Sequence, residues 1–185
     1  ANSQEDLADN IILSDRARLN FDTSFSGKDQ LRVRLQGRNT TPFGSTVTGT
    51  NMTRLSFDGN EENDVRIDDL FYRFPLGQQT TVWLIANAFG SENIADPLNP
   101  FLRSDGTGSI SRFGRFSPIY RLAEGPGIAI NHKFGSALNL TAAYRARNAN
   151  DPSEKAGLFD GNYGALAQLT FTPNQNFGLG LTYVN

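Results

Sequence analysis

The run RARLNFDTSF, residues 16–25, alternates between two chemistries. Its odd positions are Ala17, Leu19, Phe21, Thr23 and Phe25, and its even positions are Arg16, Arg18, Asn20, Asp22 and Ser24. Successive side chains of an extended chain point to opposite faces. The run therefore predicts a strand with one apolar and one polar face. The segment Ser26-Gly27-Lys28-Asp29 follows as a turn. The next strand repeats the pattern, with Leu31, Val33 and Leu35 on one face and Arg32, Arg34, Gln36 and Arg38 on the other. Two adjacent strands thus carry five arginines on their polar faces.

The same period recurs to the last residue. Leu70, Tyr72, Phe74 and Leu76 share a face, as do Val82, Leu84, Ala86 and Ala88. Ile128, Ile130 and Phe134 mark another strand, and Leu138, Leu140, Ala142 and Tyr144 the next. Tyr163, Ala165, Ala167, Leu169 and Phe171 precede a final series at Phe177, Leu179, Leu181 and Tyr183. Short turns at 26–29, 76–79, 134–136 and 173–175 alternate with long loops at roughly 39–64, 89–125 and 146–161. That rhythm predicts eight strands of membrane-crossing length, joined by short turns at one rim and long loops at the other.

Some residues sit outside the pattern. Thr53–Asp58 reads as a further strand and is assigned to an extracellular hairpin. Asp68-Asp69 disturbs the phase between Val65-Ile67 and Leu70-Tyr72, which predicts a β-bulge. Trp83 and Ile85 fall on a nominally polar face, and either pack beneath an inward loop or mark a shift of phase.

Composition narrows the chemistry. The 185 residues carry 17 Lys and Arg against 19 Asp and Glu, without the basic excess of a nucleic-acid binder. With no Cys there is no disulfide, thiolate metal site or Cys nucleophile, and the one His, His132, is read as a strand residue near a rim. An enzyme needs a convergent constellation. Asp68 and Asp69 are adjacent, so an ideal strand turns them to opposite faces and away from a shared acid–base role. The acidic run Asp58–Asp64 lacks EF-hand spacing and reads as solvated loop charge. No cofactor and no metal site is expected. No run approaches about 18 consecutive apolar residues, so no transmembrane helix is predicted; strands of about 9–11 residues cross a membrane without one.

A soluble β-sandwich serving as a carbohydrate-binding or adhesion module also alternates. The predicted strands exceed the usual sandwich length of about 5–6 residues. Aromatics cluster near their ends (Phe25, Tyr72, Phe74, Phe134, Tyr144, Tyr163, Phe171, Phe177, Tyr183), as in the girdles of an outer-membrane barrel. The favoured reading is an all-β transmembrane antiparallel barrel wall. Lipid offers no hydrogen-bond partner, so the backbone pairs within the barrel and apolar faces turn outward. Arg16, Arg18, Arg32, Arg34, Arg38, Lys133, Asn139, Arg145 and Gln168 are then the expected pore-lining residues. Arg112 and Arg115, in the basic and aromatic run Ser109–Phe116 of the longest loop, are expected at i, i+3 on one side of a short helix. There they set the field at a constriction. The arginines either make a basic wall that attracts anions and repels cations, or simply hydrate the lumen with Asp22 and Asp69 offsetting their charge.

The segments RARLNFDTSFSGKDQLRVRLQGRN (16–39), IDDLFYRFPLG (67–77) and GLFDGNYGALAQLTFTPNQNFGLGLTYVN (157–185) resemble the cyanobacterial iron-uptake porins of the carbohydrate-selective porin family. The resemblance implies passive diffusion of inorganic ions, iron complexes or sugars. It also implies a trimeric barrel of about 16 strands in the outer membrane. Its expected partners are membrane lipids, two further copies of the chain and small hydrophilic solutes, with no nucleic acid. It further implies a surface-layer-homology domain that contacts the cell wall, which this chain does not contain. The chain starts at Ala1 without a signal peptide and ends on a strand, at Leu181–Asn185, without the usual terminal aromatic. Residues 1–185 are therefore expected to form a partial porin domain, about half a barrel.

Overall fold

The computed structural model describes residues 8–185; the first seven residues of the expected domain lie outside the described residues. Eight strands follow the chain along one sheet: β1 (Arg16–Thr23), β2 (Gln30–Thr40), β4 (Arg66–Leu76), β5 (Thr80–Asn87), β6 (Gly127–Phe134), β7 (Leu138–Ala146), β8 (Tyr163–Asn174) and β9 (Phe177–Val184). A two-residue strand, β3 (Gly59–Asn60), pairs with the end of β2 off this path. Neighbours from β4 to β9 are antiparallel. The all-β fold class and the eight long strands agree with the alternation. Short turns need backbone that reverses tightly, and Gly77 and Gly135 supply left-handed residues (φ +74° and +79°) at two of them.

The described chain groups into two compact units. One comprises the chain through Arg18 with Gln36–Arg66 and Asn99–Phe116; the other comprises Leu19–Leu35, Ile67–Leu98 and Ser117–Asn185.

In the first unit the expected strand at Thr53–Asp58 does not form. Asn51–Thr53 is a 3-10 turn, capped by the Thr50 side chain, which accepts from the Met52 amide. Arg54 then clasps Asp58 four residues on, curling the chain (2.8 Å). Only Leu55 makes a bridge, to Ser111, before β3 pairs Asn60 with Asn39. A charge pair at i, i+4 suits a turn of chain rather than an extended one, which explains the difference.

In the second unit the register sorts the sheet into two faces. Leu84, Ile128, Ile130, Leu140, Leu169, Phe171, Leu179, Leu181 and Tyr183 are exposed on one face, Leu181 at 73%. The other face is organised in rows across the strands. One row is polar: Thr81, Asn131, Thr141, Gln168, Thr182. The next is apolar: Trp83, Ala129, Ala143, Leu166. Arg145 lies one row further, between Gly127 and Gly164. Trp83 and Ile85 are buried in these rows with their strand in phase, so they are packed residues of the inner face.

One face thus exposes apolar side chains, while the other buries polar residues together with Trp83, Ile85 and Leu166. Fully burying a Leu, Ile or Phe side chain gains about 1.5–3 kcal/mol. The sheet leaves such side chains outside while Gln168 and Arg145 are at most 1% exposed. The predicted irregularity is present but displaced. The register shifts between Leu70 and Phe71, where Ala86 of β5 is the extra residue. Aromatic rings gather at both strand ends: Tyr72 with Phe25 and Phe74 near the short turns, Tyr144 with Tyr163 and Phe159 near the long loops.

Candidate pore-lining face

The arginine strand β2 meets carboxylates at nearly every step. In the second unit Arg32 donates through Nε and Nη2 to both oxygens of Asp22, each at 2.8 Å, and lies over the Phe71 ring. Arg34 takes Asp68 at 2.5 Å and Asp69 at 2.8 Å. Adjacent strand residues were expected to face apart, yet both carboxylates reach one guanidinium.

In the first unit Arg16 donates to Asp105 at 2.5 Å, and Arg18 to the Gln36 side-chain oxygen at 2.6 Å. Arg38 holds Glu61 through Nε and Nη2 at 2.8 Å and also donates to the Asp58 carbonyl. The Arg38 hydrogen bond holds the Glu61 carboxyl below its ordinary value. Burial pushes the Asp105 carboxyl up. The Arg16 hydrogen bond and the charges of Arg16, Arg18 and Arg115 outweigh that and hold it low. Asp58 and Glu61, from the acidic run, are thus engaged by arginines.

Arg112 and Arg115 do not share a helix face. Arg112–Gly114 is a single 3-10 turn, whose Ser111 cap accepts from the Phe113 amide. Arg115 is its C-cap, at ψ −116°, and leaves the helical path. Its guanidinium instead donates to the Arg103 and Ser56 carbonyls and lies over the Phe116 ring.

The remaining expected residues lie on β6–β8. Lys133 is exposed and directly opposite Asn139, whose buried Oδ1 has no hydrogen-bond partner among the described residues. Asn131 donates to Thr141 at 2.8 Å. Arg145 and Gln168 occupy the expected face but are fully covered rather than bathed in water. Arg145 donates to the Phe89 and Gly125 carbonyls, and Gln168 accepts from Tyr120 and donates to the Asp96 carbonyl. The covering residues come from the two stems of the long loop, 88–98 and 117–126. His132 is bonded to Thr80 and packs edge-on against Phe134.

Sequence reasoning missed the stem residues Phe89, Asp96 and Tyr120 and the loop carboxylate Asp105. The stems follow no period. The one available signal was the placement of Trp83 and Ile85, which anticipated cover over the polar face.

A family model described as carbohydrate-selective porin, OprB family, matches residues 4–185. An uncharacterized protein of Synechocystis sp. is 41% identical over 169 residues, covering 91% of this chain and 30% of its own length. An uncharacterized protein of Nostoc sp. is 36% identical over 197 residues, covering 96% of this chain and 34% of its own. The chain thus spans about a third of the curated relatives it matches. No solved structure matches it significantly.

Proposed function

The chain belongs to the carbohydrate-selective porin OprB family, and from that premise we propose that it forms part of the wall of an outer-membrane channel through which small hydrophilic solutes, sugars above all, diffuse passively. The exposed apolar face of the sheet carries this reading. An exposed apolar face suits lipid, and a polar face suits a watery path.

The chemistry of the polar face favours neutral polyhydroxylated solutes over strong ion selection. In the second unit Arg32 and Arg34 each stand beside a carboxylate, and in the first unit Arg16 and Arg38 each do. Such pairs offer donors and acceptors side by side while their charges largely cancel. Vicinal hydroxyls use both kinds of group. Passage of small iron complexes, a homotrimer, contact with lipid along the apolar face and a wall-binding domain rest on the family resemblance and complete the proposal.

The test is diffusion of graded sugars into liposomes holding the full-length protein, alongside planar-bilayer conductance. The expected result is sugar entry that falls with solute size, and weak ion selectivity in a salt gradient. A protein that stays monomeric without detergent and forms no conducting unit overturns the reading in favour of a soluble binding module.

A further inference from the structure

We infer that Gln168 is the positioning residue that fixes the aperture, acting through the long loop rather than by touching solute. The inference rests on the channel reading above.

A primary amide offers two donor hydrogens and two acceptor lone pairs, and Gln168 uses all four. Its Oε1 accepts from the Tyr120 hydroxyl at 2.7 Å and from the Thr182 hydroxyl at 2.8 Å. Its Nε2 donates to the Asp96 carbonyl at 2.7 Å and to the Thr170 hydroxyl at 3.0 Å. Asp96 lies on the outgoing stem of the loop and Tyr120 on the returning stem, so one side chain on β8 holds both. Gln168 itself is 1% exposed, and its bonds to Tyr120 and Thr170 are buried.

A second clamp repeats the design. Arg145 donates to Phe89 on the outgoing stem and to Gly125 on the returning stem. Ser91 ties the stems together through the Ala123 carbonyl at 2.5 Å. Small residues let the stems lie close. A Cβ on Gly164 would stand 2.7 Å from the Ala123 Cα, and one on Gly180 would stand 3.1 Å from the Leu98 side chain. The stems are therefore bound to the wall at two levels and seated against it. Whatever space they occupy on the polar face is fixed, and with it the solute size limit. The Gln168 amide is fully satisfied, and a satisfied buried network specifies one arrangement, whereas Arg145 leaves its Nη1 without a partner among the described residues.

The test compares the full-length wild type with Gln168→Leu and Tyr120→Phe in liposomes, reading the ratio of trisaccharide to monosaccharide entry. Gln168→Leu removes all four bonds and is expected to raise that ratio at least about twofold, with noisier single-channel currents. Tyr120→Phe removes the hydroxyl's bond to Gln168 and is expected to raise it less. Should Gln168→Leu fail to fold, judged by heat-modifiable gel migration, Tyr120→Phe carries the same test. Folded variants that keep the wild-type ratio and noise overturn the aperture role alone. Wild-type liposomes that admit no sugar overturn the channel reading and the aperture role with it.

Discussion

Arg16 and Asp105 stand 89 residues apart in the chain and meet at 2.5 Å, joining the first residue of β1 to the tip of the longest loop. Neither is more than about a quarter exposed, at 22% and 16% for the side chains. A carboxyl held below its ordinary value contributes to stability above that value, and the contribution is lost as pH falls. Acidification below about pH 4 should therefore release the loop tip. The expected outcome is current noise that rises as pH drops through this range, and noise already high and pH-insensitive in Asp105→Asn.

Asp29 makes the first turn. Its carboxylate accepts from the Ser26 hydroxyl, the Ser26 and Phe25 amides, the Ser24 hydroxyl and, from β4, the Tyr72 hydroxyl at 3.0 Å. The Ser26 hydrogen bond and its companions depress the carboxyl far below the usual range. Asp29→Ala is expected to lower the temperature of heat-modifiable migration. That loss should persist at neutral pH and shrink in strong acid, where the wild-type carboxyl is itself protonated.

Gly164 tests the seating of the returning stem. Its missing Cβ would press on backbone at Ala123, which no rotamer change relieves. Overpacking of this kind costs about 1–3 kcal/mol. Gly164→Ala should lower the unfolding temperature measurably, whereas Gly77→Ala, with open space around it, should act only through its left-handed backbone.

The apolar face gives an opposite pair of expectations for a membrane and a soluble protein. Ile130 is 41% exposed at mid-strand. Ile130→Arg should cost about 2–4 kcal/mol near a bilayer midplane, read from unfolding in phospholipid vesicles. A soluble module would tolerate it or gain solubility.

The alternation made the strands, the short turns and the two faces legible in advance, because a strand's period is local. What joins distant segments was not. The pattern marked Arg16 and Arg34 as polar-face residues, but nothing along the chain pairs Arg16 with Asp105 or brings Asp68 and Asp69 to one guanidinium. Gln168 and Arg145 read as water-facing because a polar residue in such a strand has that default. Their cover comes from stems without periodicity, held by backbone carbonyls that no sequence pattern displays. Arg112 and Arg115 failed to align because a one-turn 3-10 segment ends before the fourth residue is reached.

The period of the wall itself is the most direct test of the account. Residues 1–185 contain no cysteine, so once any cysteine elsewhere in the full-length protein is replaced, single labels are free of background. Fluorophores on Ile128→Cys, Ala129→Cys, Ile130→Cys and Asn131→Cys in the reconstituted full-length protein can be challenged with a lipid-soluble quencher. Quenching at 128 and 130 with protection at 129 and 131 is the predicted result. Equal quenching at all four, or access of a water-soluble quencher to 128 and 130, would contradict it.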